Sequence, residues 1–228
     1  MIGLLAGLRG GLIVSVQAWK GSALDDPYVI AALARAAQDG GAVAVRIAGA
    51  EQIRAVRARV SIPIVGLVKR AYDGFAPYIT PTLDDVAAVA AAGAEIVAFD
   101  ATSRGRPGGI TVADITDAVA SAGCVAMADC ATASDAALAL AAGADIVATT
   151  LCGYTPETAA HALPALGLVR EMAQLDTFVV CEGGVATPAQ LHAALEDGAD
   201  AVVVGTAITN VDALVRSFAG SADKARNA

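Results

Sequence analysis

Two ionisable residues each close a short apolar run: Val65-Gly-Leu-Val-Lys69 and Val179-Val-Cys-Glu182. A charge at the carboxyl end of a strand buried on both faces is costly to place, so an amine and a carboxyl in these positions point to use rather than accident. A lysine whose ammonium form is disfavoured by burial can take up and return a proton, or attack a carbonyl to form a Schiff base. A structural ion pair of Lys69 with Glu182 or Asp129 is the plain alternative. A neighbouring carboxylate would hold the amine charged, which favours proton shuttling over imine formation.

Other apolar runs also end on polar residues. Gln17, Arg46, Asp100, Asp129, Thr150 and the pair Gly205-Thr206 each follow such a stretch. A guanidinium at a buried strand end requires an anionic or carbonyl partner, which for Arg46 is Asp100 or Asp129. Gly183-Gly184 and Gly205-Thr206 follow the last two runs, where backbone N–H groups of barrel enzymes often hold phosphate; ordinary turn geometry is the competing account. Arg104 and Arg106 sit in the loop after Asp100. Tyr78-Ile-Thr-Pro-Thr82 and Thr149-Thr-Leu-Cys-Gly-Tyr-Thr155 are dense in hydroxyls that suit a sugar, although Thr82 and Thr155 are also expected to cap helices.

The elements that must position these residues recur regularly. Eight Val- and Ile-rich runs are expected to be strands: 12–17, 42–47, 63–69, 95–100, 125–129, 145–150, 178–182 and 201–205. Between them, Thr82 with Asp85, Thr111 with Asp114 and Thr132 with Asp135 resemble capping boxes, and Thr155-Pro156 and Thr187-Pro188 place proline at a first helical position. A Gly-Ala pair recurs at Gly41, Gly93, Gly143 and Gly198, at intervals of 52, 50 and 55 residues, so it marks every second strand. Four two-strand modules predict an α/β fold, a single-domain (β/α)8 TIM barrel spanning residues 1–228. In that fold Gln17, Lys69, Asp129 and Glu182, from alternate strands, share one layer at the mouth.

Composition agrees. The chain is 56 % hydrophobic with nine aromatic residues and a net charge of −8. Without a basic face it offers no nucleic-acid or anionic-membrane surface, and no apolar run reaches the ~18 residues that span a bilayer. Arg9 and Gly10-Gly11 interrupt the apolar amino terminus, so it is not read as a signal peptide, and the chain reads as cytoplasmic. Cys124, Cys130, Cys152 and Cys181 lack metal or redox spacing, and His161 and His192 do not suggest a metal centre or a triad. No metal and no cofactor is expected.

The residues then match a pattern. Gly10-Gly-Leu-Ile-Val-Ser-Val-Gln17-Ala18, Val45-Arg46-Ile47, Pro63-Ile-Val-Gly-Leu-Val-Lys69-Arg70, Tyr78-Ile-Thr-Pro-Thr82, Asp100-Ala-Thr102 with Arg104 and Arg106-Pro107, Met127-Ala-Asp129-Cys130, Thr149 to Thr155, Glu182-Gly183 and Val203 to Thr209 run in order from the first strand to the last. Together they resemble the N-acylglucosamine-6-phosphate (N-acetylmannosamine-6-phosphate) 2-epimerase family of sialic-acid catabolism. The resemblance implies a TIM barrel that interconverts the two sugar phosphates at C2 without a cofactor. It places the catalytic lysine on Lys69 and the catalytic glutamate on Glu182. It puts Gln17, Arg46 and Asp129 against the substrate, and phosphate around Gly183, Gly184, Gly205 and Thr206. Two positions depart: Gly184 stands where the family usually has arginine, and Asn210-Val211 where it has arginine-proline. A Schiff-base aldolase, another phosphate-binding barrel enzyme and a non-catalytic sugar-phosphate-binding barrel remain the competing readings. The oligomeric state is open, and a homodimer is compatible with the sequence.

Overall fold

The computed structural model describes the backbone of residues 2–226 and the side chains of residues 3–222; Met1 and residues 227–228 of the expected 1–228 domain lie outside the described residues. Eight parallel strands close on themselves: β1 (Gly11–Val16), β2 (Ala44–Ala48), β3 (Ile64–Leu67), β4 (Ile96–Asp100), β5 (Val125–Asp129), β6 (Ile146–Ala148), β7 (Phe178–Glu182) and β8 (Ala201–Val204), with β8 pairing β1. This is the expected (β/α)8 barrel.

Each strand is buried on both faces because two cores flank it. Residues of one parity, including Ile13, Ala44, Val65, Ile96, Met127, Ile146, Val180 and Val203, fill the barrel interior. Those of the other parity, including Val14, Val45, Val97, Val147, Val179 and Val202, pack against the helices. Following the inward parity toward and past the carboxyl ends of the strands reaches Gln17, Arg46, Lys69, Asp129, Thr150, Glu182 and Gly205, so the alternation itself turns these residues toward the mouth. Helix α1 (Ile2–Leu8) lies at the opposite end and contributes the buried Leu8 to the interior.

The outer layer comprises α2 (Pro27–Asp39), α3 (Ala50–Arg57), α4 (Leu83–Ala91), α5 (Val112–Ser121), α6 (Ala133–Ala141), α7 (Leu166–Met172), α8 (Pro188–Glu196), the short α9 (Thr206–Thr209) and α10 (Val211–Arg226). Thr111 with Asp114 and Thr132 with Asp135 form full capping boxes, as does Thr187 with Gln190. Thr82 caps α4, but the box is incomplete: Asp85 Oδ2 accepts from the Thr82 hydroxyl at 2.8 Å rather than from its backbone N–H, and Oδ1 lies 2.9 Å from Arg70. The four repeat glycines adopt φ between +97° and +103°, the left-handed turn that leads each helix into the next strand.

Further local expectations fail. The segment after Thr155-Pro156 forms turns rather than a helix, because the Thr155 hydroxyl meets that of Thr158 at 2.8 Å while Thr158 accepts from the Gly153 N–H; the helix begins only at Leu166. Lys69 is not the last residue of β3, which ends at Leu67. It lies two residues on, in an antiparallel bridge with Ile79.

Candidate active site

Arg46 is the hub of the mouth. Its guanidinium is 1 % exposed and forms a bidentate pair with Asp129, Nη1 to Oδ1 at 3.1 Å and Nη2 to Oδ2 at 2.6 Å. Nη1 also lies 2.9 Å from Oε2 of Glu182. Of its two expected partners Arg46 therefore takes Asp129, while Asp100 is held by Arg104 at 2.7 Å and by the Thr102 hydroxyl at 2.6 Å. Two carboxylates share this one buried guanidinium in a water-poor pocket, where the ionised form of a carboxyl is disfavoured and adding a proton relieves it. Burial, reinforced by the charge of Asp129 and opposed by Arg46, pushes the Glu182 carboxyl up to about 7. Its side chain remains 13 % exposed, an opening toward the mouth.

Thr150 joins the same cluster, its hydroxyl 2.6 Å from Asp129 Oδ1 and 3.2 Å from Glu182 Oε2. Thr149, one residue earlier, faces the other way and clasps the Glu182 backbone: its hydroxyl donates to the Glu182 carbonyl at 2.9 Å and accepts from the Glu182 N–H at 3.0 Å. Of these two hydroxyls, from a segment read as suited to a sugar, one is thus committed to the backbone and the other to the carboxylates.

Lys69 is set by a ribbon absent from the sequence-based expectations. Residues 68–70 pair with 78–80: Thr80 N–H donates to Val68 O at 2.8 Å, Arg70 N–H donates to Tyr78 O at 2.8 Å, and the Thr80 hydroxyl accepts from Val68 N–H at 3.1 Å while donating to Ala98 O at 2.6 Å. Thr80 is fully buried and adopts φ +45°, a conformation uncommon for a β-branched residue. Its hydroxyl is therefore structural, and the expected ligand role for it is withdrawn. Lys69 forms no ion pair with another described side chain; Arg46 takes both carboxylates. Burial, and then the nearby Arg46 charge, lowers its pKa, with Glu182 and Asp129 acting in the opposite sense. Lys69 as a residue is exposed at the open rim, so solvent screening moderates that lowering. Tyr78, on the facing strand of the ribbon, has its phenol raised by burial and by Asp129.

Gln17 points its Nε2 to the Ser15 hydroxyl at 2.8 Å, and its Oε1 is buried without a protein partner. Ser15 was missed; a serine at an inward position of an Ile- and Val-rich strand was the available signal. Gly183, Gly184, Gly205 and Thr206 lie just past β7 and β8 at the same end of the barrel. Gly184 has φ +73°, and a Cβ there would run into Leu163, so no side chain fits at this position. Asn210 accepts from the Ala213 N–H at 3.0 Å and caps the start of α10. Two hollows of about 280 and 310 Å3 lie to the side, along residues 102–112 and between Thr82 and Ile110, away from the chemistry of the mouth.

Residues 30–224 match the family described as "NanE: Putative N-acetylmannosamine-6-phosphate epimerase". The chain belongs to this epimerase family. A relative from Caldanaerobacter subterraneus subsp. tengcongensis, named "Putative N-acetylmannosamine-6-phosphate 2-epimerase", is 43 % identical over 214 residues, which is 92 % of this chain and 90 % of the relative. One of the same name from Yersinia pseudotuberculosis is 45 % identical over 205 residues, 90 % of this chain and 87 % of its own. The solved N-acetylmannosamine-6-phosphate 2-epimerase of Clostridium perfringens superposes with a TM-score of 0.92 at 37 % identity, covering 95 % of each chain. A thiamine phosphate pyrophosphorylase from Pyrococcus furiosus, at 16 % identity and TM-score 0.61 over 89 % of this chain and 88 % of its own, shares the fold alone. Among the described residues of this family member, no three His, Cys, Asp or Glu side chains are placed to hold a metal ion, and no helix is long and apolar enough to cross a membrane.

Proposed function

We propose that this protein is a 2-epimerase that interconverts N-acetylmannosamine 6-phosphate and N-acetylglucosamine 6-phosphate by removing and returning the proton at C2. The observation that carries the reading is the placement, in a family member, of Lys69 beyond β3 and Glu182 at the end of β7 on one barrel mouth, where burial lowers the proton affinity of the amine and raises that of the carboxyl. In the open-chain sugar C2 lies next to an aldehyde, so a base can take its proton and leave an enolate. Return of a proton to the opposite face inverts the centre.

Each residue then has a task. Lys69 is the base at C2, its amine made more readily neutral by burial and Arg46. Glu182, near its midpoint at neutral pH, handles the proton of ring opening. Arg46 and Gln17 steady the oxygen charge or the N-acetyl group, the unpartnered Gln17 Oε1 being suited to the amide N–H. Asp129 keeps Arg46 in place. Backbone N–H groups of Gly183, Gly184, Gly205 and Thr206 hold the phosphate, without a side chain at 184 or a free one at 210. The reaction is assigned no metal or organic cofactor and takes place in the cytoplasm.

Incubation with N-acetylmannosamine 6-phosphate in deuterium oxide tests this reading. The expected result is N-acetylglucosamine 6-phosphate carrying deuterium at C2. An unlabelled product, or no product, would reject it.

A further inference from the structure

Strand β6 is three residues long, against five in β5 and in β7, and it stops at Ala148. Its register sets Ala148 opposite Val180, so Thr149 comes opposite Cys181. In an unbroken parallel ladder a residue there donates its N–H to the residue before its partner, and its carbonyl accepts from the residue after. The first of these bonds is present, from Thr149 N–H to the Val180 carbonyl at 3.1 Å. The second is replaced. Glu182 N–H donates to the Thr149 hydroxyl at 3.0 Å, and that hydroxyl donates in turn to the Glu182 carbonyl at 2.9 Å. Both directions are fixed, since a backbone N–H can only donate and a carbonyl can only accept. The Thr149 carbonyl, released from the ladder, accepts from the Cys152 N–H at 3.0 Å and closes the turn that carries Thr150.

We infer that Thr149 is a positioning residue for the mouth: its hydroxyl stands in for a main-chain rung of the ladder, fixing the backbone of Glu182 and freeing its own carbonyl to close the turn that holds Thr150. Two groups at the mouth hang on this arrangement. The Glu182 carboxyl lies 2.9 Å from Arg46 Nη1, and the Thr150 hydroxyl lies 2.6 Å from Asp129 Oδ1. Thr149 itself is fully buried, so no solvent competes for its hydroxyl and it acts through its neighbours rather than on a ligand. An apolar side chain of the same shape would strip the Glu182 N–H and carbonyl of these partners inside the protein, and the strand end would have to move to recover them. A displacement of about 1 Å at a group that does chemistry lowers turnover by up to about a hundredfold. That consequence rests on the epimerase reading; the placement of the Glu182 backbone does not.

The test compares Thr149→Val, which keeps the shape and removes the hydroxyl, with Thr149→Ser, which keeps the hydroxyl, in epimerisation of N-acetylmannosamine 6-phosphate at a temperature where each is folded. Thr149→Val should lose about tenfold to a hundredfold in kcat with KM within about threefold of wild type, and Thr149→Ser should keep most of the wild-type rate. A folded Thr149→Val protein with wild-type kcat overturns the inference. So does a Thr149→Ser protein that loses as much, because the hydroxyl is then not the agent. In a substrate-free crystal structure of Thr149→Val, Glu182 Oε2 should be drawn away from Arg46 Nη1; an unchanged 2.9 Å contact overturns the inference. If Thr149→Val does not fold, neutron diffraction of the wild-type protein decides. A Glu182 N–D aimed at Thr149 Oγ1 supports the arrangement, and one aimed at the Thr149 carbonyl, as in an ordinary rung, overturns it. A wild-type protein with this substrate-free geometry but no turnover would refute the epimerase reading alone.

Discussion

Glu182 carries an energetic signature that can be read without substrate. Its carboxyl ionises near 7 when folded and near 4.5 when unfolded, so the folded state holds the proton more tightly and loses stability as pH rises between those values. The loss is on the order of 3 kcal/mol, since a tenfold difference in proton affinity between the two states is worth about 1.4 kcal/mol. Glu182→Gln removes this penalty, so urea melts should show the variant gaining on the wild type between about pH 5 and pH 8, and not below. Arg46 is the opposite case. Arg46→Met would leave Asp129 and Glu182 buried without their cation, at a cost of about 3–5 kcal/mol in the same melts. The residue types at these positions were legible in the sequence because a charged side chain rarely ends a buried strand without a partner. Which carboxylate Arg46 would choose was not, because Asp100 and Asp129 sit side by side on β4 and β5 and only the Arg104 loop decides between them.

Among the elements, the ribbon formed by residues 68–70 and 78–80 positions Lys69 as much as β3 does. Its pin is the Thr80 hydroxyl, which joins Val68 of the ribbon to Ala98 of β4. Thr80→Val preserves shape while leaving the Val68 N–H and the Ala98 carbonyl unsatisfied, so stability should fall by about 2 kcal/mol or more and turnover should drop as well. Thr80→Ser should recover most of both. Strand positions were readable from apolar runs bounded by Gly, Asp and Thr, and the capped helix starts at Thr111, Thr132 and Thr187 confirm that the local chemistry is explicit. The ribbon was hidden because three residues between Pro77 and Pro81 carry no periodicity, and their partner lies ten residues away. The turns after Thr155 were hidden for a related reason: a Thr-Pro start cannot show that a second threonine will capture the first.

For the whole molecule, closure depends on how tightly the outer layer seats on the sheet. Gly66 faces that layer, and a Cβ there would lie 2.6 Å from Ala94, 2.7 Å from Val89 and 2.9 Å from Ile53. Gly66→Ala should therefore destabilise the barrel by about 1–3 kcal/mol through overpacking, seen as a lower denaturation midpoint. The same closure brings the carboxyl ends of strands 3 and 7 to one rim, as the proposed reaction requires of Lys69 and Glu182. The central claim is that the Lys69 amine takes the C2 proton, and deuterium exchange at C2 of N-acetylmannosamine 6-phosphate, measured side by side for wild type and Lys69→Ala, tests it most directly. The account expects Lys69→Ala to fold with an unchanged melt and to lose exchange by about a hundredfold to ten-thousandfold, the share a positioned base supplies. A folded Lys69→Ala protein that exchanges at the wild-type rate would contradict it.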